Sequence, residues 1–97
     1  MTLVTVRHQV KEYAAWRKIY EEFAPVQKTA GVIEESVYQD QDNPNDLLVL
    51  HRFANRTKAD AFLASSELRE TMQRAGVTGQ PRIELFEESN LLAPVQR

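Results

Sequence analysis

The two histidines are the side chains of this chain best suited to acid–base chemistry near neutral pH. His8 lies in the segment LVTVRHQV and His51 lies in LLVLHRF, and both segments have the Val- and Leu-rich composition of strands. A histidine that titrates near pH 7 can remove a proton from a phenol, and the resulting phenolate can react with oxygen without a cofactor. His51 and His8 are therefore the candidate catalytic bases.

Large apolar side chains recur where they could surround such a base. Trp16, Tyr20 and Phe23 are spaced three or four residues apart, so they share one face of a predicted helix. Aromatic walls with few polar groups are typical of a site for a flat organic ligand, which Tyr20 or Tyr38 would orient by hydrogen bonding. The predicted substrate-binding residues come from two helical regions and one strand: Trp16, Tyr20, Phe23, Phe53, Phe62, Leu68 and Met72.

The same residues also suit a structural role, and the sequence leaves both interpretations open. A buried histidine is usually hydrogen-bonded to a neighbouring group, and aromatic side chains at helical spacing usually pack in the core. Two histidines without a third ligand at a suitable spacing make a poor metal site. The sequence also lacks a Gly-rich phosphate loop and a G-x-S-x-G motif. No metal or other cofactor is expected.

The elements that must position these residues follow the order β-α-β-β-α-β. The first helical region is expected to bend or end near Pro25 and to close at Gly31. We expect Thr57 to cap the second helical region, and Ser65 or Ser66 to cap its second half after a break. The predicted strands span residues 3–10, 32–40, 47–53 and 81–88, and the predicted helices span residues 11–27, 58–64 and 67–75.

This order is the ferredoxin-like arrangement of an α+β fold, a four-stranded antiparallel sheet with helices on one face. Its first and third strands pair, so His8 and His51 should point to the same, helix-facing side. The other side of the sheet would be uncovered in one chain, and it is predicted to carry Leu3, Thr5, Leu48, Leu50, Ile83 and Leu85. Because so much apolar surface is rarely left in water, we expect a homodimer through this open sheet face.

Two further features are assigned to this interface. Arg52 alternates onto the open face, where it is expected to pair with Glu84 or Glu35. The apolar segment LLAPV, at residues 91–95, is expected to reach across to the partner subunit. Both assignments depend on the predicted dimer.

Composition places the chain among ordinary single-domain proteins. Its 97 residues form one predicted domain, 1–97, with 42% hydrophobic residues. A net charge of −2 without a basic stripe argues against nucleic acid and membrane surfaces as partners. No run approaches the roughly 18 apolar residues of a membrane span, and the N-terminus is too polar for a secretion signal. A cytoplasmic location is therefore expected.

The chain resembles the dimeric α/β-barrel superfamily and, within it, small bacterial proteins similar to antibiotic biosynthesis monooxygenases. The resemblance is carried by VRHQVKEYAAWRKIY, the DNPND hairpin and ASSELRETMQRAGVTGQP. It implies a homodimer and a ligand pocket between the helices and the sheet. Relatives include cofactor-free oxygenases of polyphenols, haem-degrading enzymes, polyketide cyclases and proteins without known catalysis. The haem-degrading relatives carry a helix-borne histidine, whereas both histidines here fall on strands, which argues against haem degradation.

Two functions follow from these observations. The first is a small-molecule enzyme, similar to cofactor-independent monooxygenases or cyclases, that acts on an aromatic or polyketide-like compound. The second is a non-catalytic dimeric module that binds a small ligand or responds to stress, which the small number of polar candidates favours. A fold by itself does not decide between them.

Overall fold

Four antiparallel strands and four helices follow one another in the order β-α-α-β-β-α-α-β. The computed structural model describes residues 1–95, so the last two residues of the predicted 1–97 domain lie outside the described chain. The elements are β1 (Thr2–Val10), α1 (Tyr13–Glu22), α2 (Ala24–Ala30), β2 (Val32–Gln39), β3 (Asp46–Phe53), α3 (Arg56–Leu63), α4 (Ser66–Arg74) and β4 (Val77–Glu87). The predicted ferredoxin-like α+β arrangement is confirmed, with each predicted helical region divided in two.

The sheet has the strand order β2-β3-β1-β4, and every pairing is antiparallel. The central strands β1 and β3 pair so that Val4 lies opposite His51 and His8 lies opposite Leu47. Both histidines therefore stand on the side of the sheet that the helices cover, which we call the helix face. The opposite side is called the open face.

The core forms between the helix face and the four helices. Burial alternates along β1 and β3, as expected for strands with one covered side. The largest fully buried side chains are those of Val4, Leu47 and Phe53 from the sheet. Trp16 of α1 and Phe62 of α3 belong to the same core cluster.

Pro25 and Gly31 divide and close the first helical region as predicted. Pro25 lies in the first turn of α2, where a missing backbone N–H costs no helical hydrogen bond. Gly31 follows α2 with a φ of 102°, in the left-handed region that favours glycine. A Cβ at Gly31 would also lie 3.2 Å from Lys58 Cδ.

The second helical region starts earlier than predicted. Asn55 caps α3, because its Oδ1 accepts a hydrogen bond from the backbone N–H of Lys58 at 3.0 Å. The prediction of Thr57 as the cap is wrong, since Thr57 already lies inside the first turn of α3. Ser65 caps α4 as predicted, with its Oγ accepting from the N–H of Leu68 at 3.2 Å.

The strand β4 begins at Val77, four residues before the predicted start at residue 81. Its pairing with β1 is interrupted by a bulge, because Arg7 pairs with Arg82 whereas Gln9 pairs with Thr78. The extra residues of this bulge lie opposite His8. The first part of β4 was missed because glycine and proline are both unfavourable in regular strands.

The predicted face of β4 is also wrong. Leu85 pairs with Val4 and Ile83 pairs with Val6, so both belong to the helix face. Phe86 lies on the open face instead and is 50% exposed. A register change of one residue exchanges the two faces of a strand, and apolar residues occur on both sides of β4, so its sequence alone did not fix the register.

The open face and the chain end leave apolar side chains uncovered. Leu3, Leu48 and Leu50 remain partly exposed there, and Leu91 and Leu92 of the irregular C-terminal segment are exposed. None of the helices within residues 1–95 is long and apolar enough to cross a membrane.

The ion pairs of Arg52 differ from those predicted. Arg52 pairs with Glu34 on the neighbouring strand, and its Nε lies 2.6 Å from Glu88 Oε1. Glu35 points to the helix face, away from Arg52, because it lies opposite His51. Glu84 pairs with Arg82. The predicted ion pairs are wrong because the pairing register of the strands decides the side of the sheet on which each carboxylate lies.

Candidate functional site

A chain of two hydrogen bonds connects His51 with the protein surface. His51 Nε2 lies 3.0 Å from the hydroxyl oxygen of Tyr20, and that hydroxyl lies 2.7 Å from Glu35 Oε1. The three residues come from β3, α1 and β2, and Glu35 lies directly opposite His51 in the sheet. His51 is only 5% exposed, whereas Glu35 is exposed. The chain therefore runs from solvent into the core.

Burial sets the protonation of these groups. It lowers the pKa of His51 to about 4, against a smaller opposing effect of Glu35, so the imidazole is neutral at pH 7. Burial and the hydrogen bond to Glu35 raise the pKa of Tyr20, so its phenol keeps its proton. Burial also lowers the pKa of His8, with a smaller opposing effect of Asp46.

Three imidazole nitrogens are buried without a hydrogen-bond partner among residues 1–95. They are both ring nitrogens of His8 and Nδ1 of His51. An unsatisfied buried polar group costs about 1–3 kcal/mol, so such groups are uncommon in native proteins. A bound water, a ligand or a catalytic role is the usual explanation for them.

An aromatic stack links the two histidines. The ring of Trp16 stacks on that of Tyr20 with centroids 4.7 Å apart and an interplanar angle of 18°. The ring of His8 lies 5.8 Å from Trp16, and the ring of His51 lies 6.1 Å from Tyr20. The two histidines are therefore joined through α1 side chains.

Phe62 closes the other side of His51. Its ring meets the imidazole edge to face at 5.7 Å. Phe53 and Phe23 pack behind Phe62, with centroids at 5.6 Å and 6.2 Å from it. Phe23 and Phe53 therefore support the site from the core side.

A cavity of about 50 Å³ lies between these groups. A water molecule occupies about 30 Å³ in the liquid, so the cavity has room for one or two small molecules and none for an aromatic ring. Its walls come from β1, β3, β4 and the four helices: Val6, His8, Trp16, Tyr20, Gln27, Val49, His51, Phe62, Leu63, Leu68, Met72 and Ile83.

Seven of the nine predicted site residues stand in this wall. They are His8, His51, Trp16, Tyr20, Phe62, Leu68 and Met72. The two that do not line the cavity are Phe23 and Phe53. Tyr38, the other predicted orienting tyrosine, lies on the open face opposite Leu48 and is remote from the cavity.

Sequence reasoning missed two polar residues of the site. Glu35 was assigned to the interface, although its cross-strand pairing with His51 places it on the helix face. Gln27 of α2 is 5% exposed and lines both the cavity and an outer groove of about 590 Å³ beside β2, which Glu35 also lines. A correct β2–β3 register would have revealed Glu35.

No group of three or more His, Cys, Asp or Glu side chains within residues 1–95 comes together to hold a metal ion. Glu35 is the exposed charged group of the hydrogen-bonded chain, and the residues of the cavity wall are apolar, aromatic or uncharged at pH 7.

A family model described as antibiotic biosynthesis monooxygenase matches residues 1–74 of the chain. This range includes β1 to β3 and all four helices, and it therefore contains both histidines, Tyr20 and Glu35. No curated protein sequence matches the chain.

Several solved structures share the fold. SnoaB, a cofactor-independent oxygenase from Streptomyces nogalater, is 15% identical with a TM-score of 0.77, over 94% of this chain and 95% of that chain. A protein of unknown function from Nitrosomonas europaea is 20% identical with a TM-score of 0.75, over 98% and 95% of the two chains. A conserved protein from Methanosarcina mazei Go1 is 18% identical with a TM-score of 0.74, over 91% and 92%. At these identities the likeness concerns the fold.

Proposed function

Because this chain belongs to the antibiotic biosynthesis monooxygenase family, we propose that it is a cofactor-independent enzyme that oxidises a small aromatic or polyketide-like phenol with dioxygen. The observation that carries the proposal is the buried His51, with one ring nitrogen held by Tyr20 and the other without a partner among residues 1–95. A free imidazole nitrogen beside aromatic walls suits the removal of a phenol proton.

In the proposed reaction, the O–H bond of the phenol breaks and its proton passes to His51. The electron pair remains on the phenolate oxygen and makes the ring electron-rich. Dioxygen, the oxidant, then replaces a ring C–H bond with a C=O bond, and its second oxygen atom leaves as water with the two hydrogens. One phenol and one dioxygen give one quinone and one water. A cyclase, the other activity that the resemblance implies, would use the same base on an acidic C–H and consume no dioxygen.

The substrate itself must strengthen the base. A pKa of about 4 makes His51 a weak proton acceptor while the site is empty. A phenolate that forms within about 4–6 Å would favour the imidazolium and raise the pKa of His51. We therefore expect activity on acidic phenols held in contact with the imidazole.

The cavity must widen before a ring can enter. Drug-sized ligands occupy pockets of about 300–1,000 Å³, far above the 50 Å³ of this cavity. Leu63, Leu68 and Met72 are the half-buried wall residues on α3 and α4. Because α4 restarts at the Ser65 cap, we propose that it tilts relative to α3 and opens the wall.

The small cavity also supports the second candidate, a non-catalytic dimeric module that binds a small ligand or responds to stress. A site that holds only one or two small molecules needs no reaction to explain it. Binding of an aromatic probe without turnover would favour this candidate.

We propose that the functional unit is a homodimer formed through the open face. The uncovered leucines of that face, the half-exposed Phe86 and the exposed Leu91 and Leu92 support this assembly. The segment 91–95 would then cross to the partner subunit. A cytoplasmic location belongs to the same proposal, and cell fractionation tests it.

The proposed reaction can be tested with 1,5-dihydroxynaphthalene as the probe phenol. Oxygen uptake is followed with an electrode and the quinone by its absorbance, without added metal or flavin. We expect the native protein to consume one dioxygen for each quinone formed. His51→Gln, which keeps a side-chain N–H for Tyr20 but has no basic nitrogen, should lower the rate by about 10²–10⁴-fold.

Glu22→Gln is the matched control. Glu22 is an exposed carboxylate at the end of α1 and lies outside the cavity wall. Its substitution should leave the rate unchanged. An equal rate in the native protein and His51→Gln, or the absence of quinone formation above the buffer rate, would contradict the proposal.

A further inference from the structure

We propose that Glu35 is a positioning residue that fixes the tautomer of His51 through Tyr20. In this arrangement the imidazole carries its proton on Nε2, and Nδ1 keeps its lone pair. The catalytic meaning of this inference depends on the proposed function. The tautomer itself is a property of the resting protein.

The argument begins with the single proton of the Tyr20 hydroxyl. That hydroxyl lies within hydrogen-bond distance of both Glu35 Oε1, at 2.7 Å, and His51 Nε2, at 3.0 Å. A phenol has one proton to donate, so only one of these groups can receive it. The carboxylate has no proton of its own when ionised, whereas the imidazole nitrogen can be either a donor or an acceptor.

The carboxylate is the stronger acceptor. Hydrogen bonds to an ionised oxygen are shorter and about twice as strong as those between neutral groups, and the bond to Glu35 is the shorter of the two. Tyr20 therefore donates to Glu35, and its oxygen accepts from Nε2–H of His51. Arg17, whose guanidinium lies 5.4 Å from the centre of the Tyr20 ring, adds no competing acceptor.

The other tautomer would be costly. It would turn the lone pair of Nε2 toward a hydroxyl whose proton points to Glu35, so the hydrogen bond between His51 and Tyr20 would be lost. Nδ1 is buried without a partner among residues 1–95 in either tautomer, so it does not offset this loss. The contact with Tyr20 therefore favours the proton on Nε2.

The two ring nitrogens of His51 therefore have different roles. Nε2 anchors the ring to α1, and Nδ1 is the nitrogen that can accept a substrate proton. Glu35 does not itself line the cavity, and it acts on the imidazole through the hydroxyl of Tyr20. An exposed carboxylate on the edge strand β2 thus selects the reactive atom of a buried histidine.

Nitrogen-15 NMR of the protein without substrate tests this inference, because the shifts of the two ring nitrogens identify the tautomer. At pH 7 the native protein should show His51 mainly as the Nε2–H form. Glu35→Gln replaces the carboxylate with an amide that can donate to Tyr20, which frees the Tyr20 proton for His51 Nε2. We expect the share of the Nδ1–H form to rise at least threefold.

Glu22→Gln is the control for loss of one carboxylate and should leave the tautomer unchanged. Native His51 in the Nδ1–H form, or equal tautomer shares in the native protein and Glu35→Gln, would overturn the inference. The oxygen-uptake assay is a separate measurement. A tautomer shift in Glu35→Gln without turnover by the native protein supports the role of Glu35 and contradicts the proposed reaction. Turnover by the native protein without a tautomer shift in Glu35→Gln supports the proposed reaction and contradicts the role of Glu35.

Discussion

At the scale of single residues, burial leaves His51 a nitrogen that is available for chemistry and also makes the stability of the fold depend on pH. The neutral imidazole has a nitrogen free for chemistry because no other described group uses it. The same burial makes protonation unfavourable, so the pKa falls from 6.5 to about 4. A difference in pKa between the folded and unfolded chains is a difference in stability.

The first prediction concerns the pH dependence of folding. Between pH 6.5 and about 4 the unfolded chain binds a proton at His51 that the folded chain does not bind, so the free energy of unfolding must fall as the pH is lowered. The full loss from this residue is about 3 kcal/mol. The lowered pKa of His8 acts in the same direction. Urea unfolding at pH 7 and at pH 4.5, at one protein concentration, measures the effect.

His51→Gln supplies the comparison for this experiment. Glutamine cannot take up a proton, so the variant should lose less stability than the native protein between the two pH values, by about 2 kcal/mol or more. Losses of equal size would show that His51 does not titrate as its burial requires.

At the scale of the elements, short polar side chains decide where the helices start. Asn55 satisfies a backbone N–H at the start of α3 through its Oδ1, whereas Thr57 lies within the first turn. A displacement of two residues therefore separates the cap from an ordinary helical position.

The second prediction compares these two positions. Asn55→Ala should lower the free energy of unfolding by about 1 kcal/mol, because it leaves the Lys58 N–H without its partner. Thr57→Ala should change it by less than about 0.5 kcal/mol, as is usual for exposed positions without special contacts. Urea unfolding of both variants decides the matter, and a larger loss for Thr57→Ala would refute this assignment of the cap.

The sequence predicts the face of a residue within one strand or helix, but it does not predict how neighbouring strands pair. His8, Trp16 and Tyr20 were predictable because the strand and helix periods fix the face on which each lies. Glu35 and Ile83 were not, since their faces depend on registers that shift at irregular points in β2 and between β1 and β4. The size of the cavity depends on the packing of α3 and α4, which no periodicity encodes.

At the scale of the whole molecule, helices cover one side of the sheet and leave the other side exposed. Four helices bury the helix face, whereas the open face presents partly exposed leucines and Phe86. Apolar area removed from water contributes roughly 25 cal/mol per Å², which favours stacking the open faces of two chains.

The third prediction follows from this asymmetry. The native protein should sediment with twice the mass of one chain at micromolar concentration. Leu50→Glu places a carboxylate in the middle of the open face, so two like charges would meet at a symmetric interface, and we expect dimerisation to weaken by at least about 100-fold. Sedimentation equilibrium measures both.

Ala61→Glu is the matched control, since Ala61 is exposed on α3, away from the sheet. It should leave the mass of the native assembly unchanged. A native protein that sediments as a monomer, or a Leu50→Glu variant as dimeric as the native protein, would contradict the assembly through the open face.

The bulge in β4 makes this edge of the sheet less suitable for pairing with a further strand. β4 is an edge strand, and the interruption opposite His8, together with Pro81, which has no backbone N–H, breaks the row of groups that another strand would need for pairing. The other edge, β2, carries the charges of Glu34 and Glu35. Both edges are therefore poor templates for adding strands, and growth by strand addition is disfavoured on either side of the sheet.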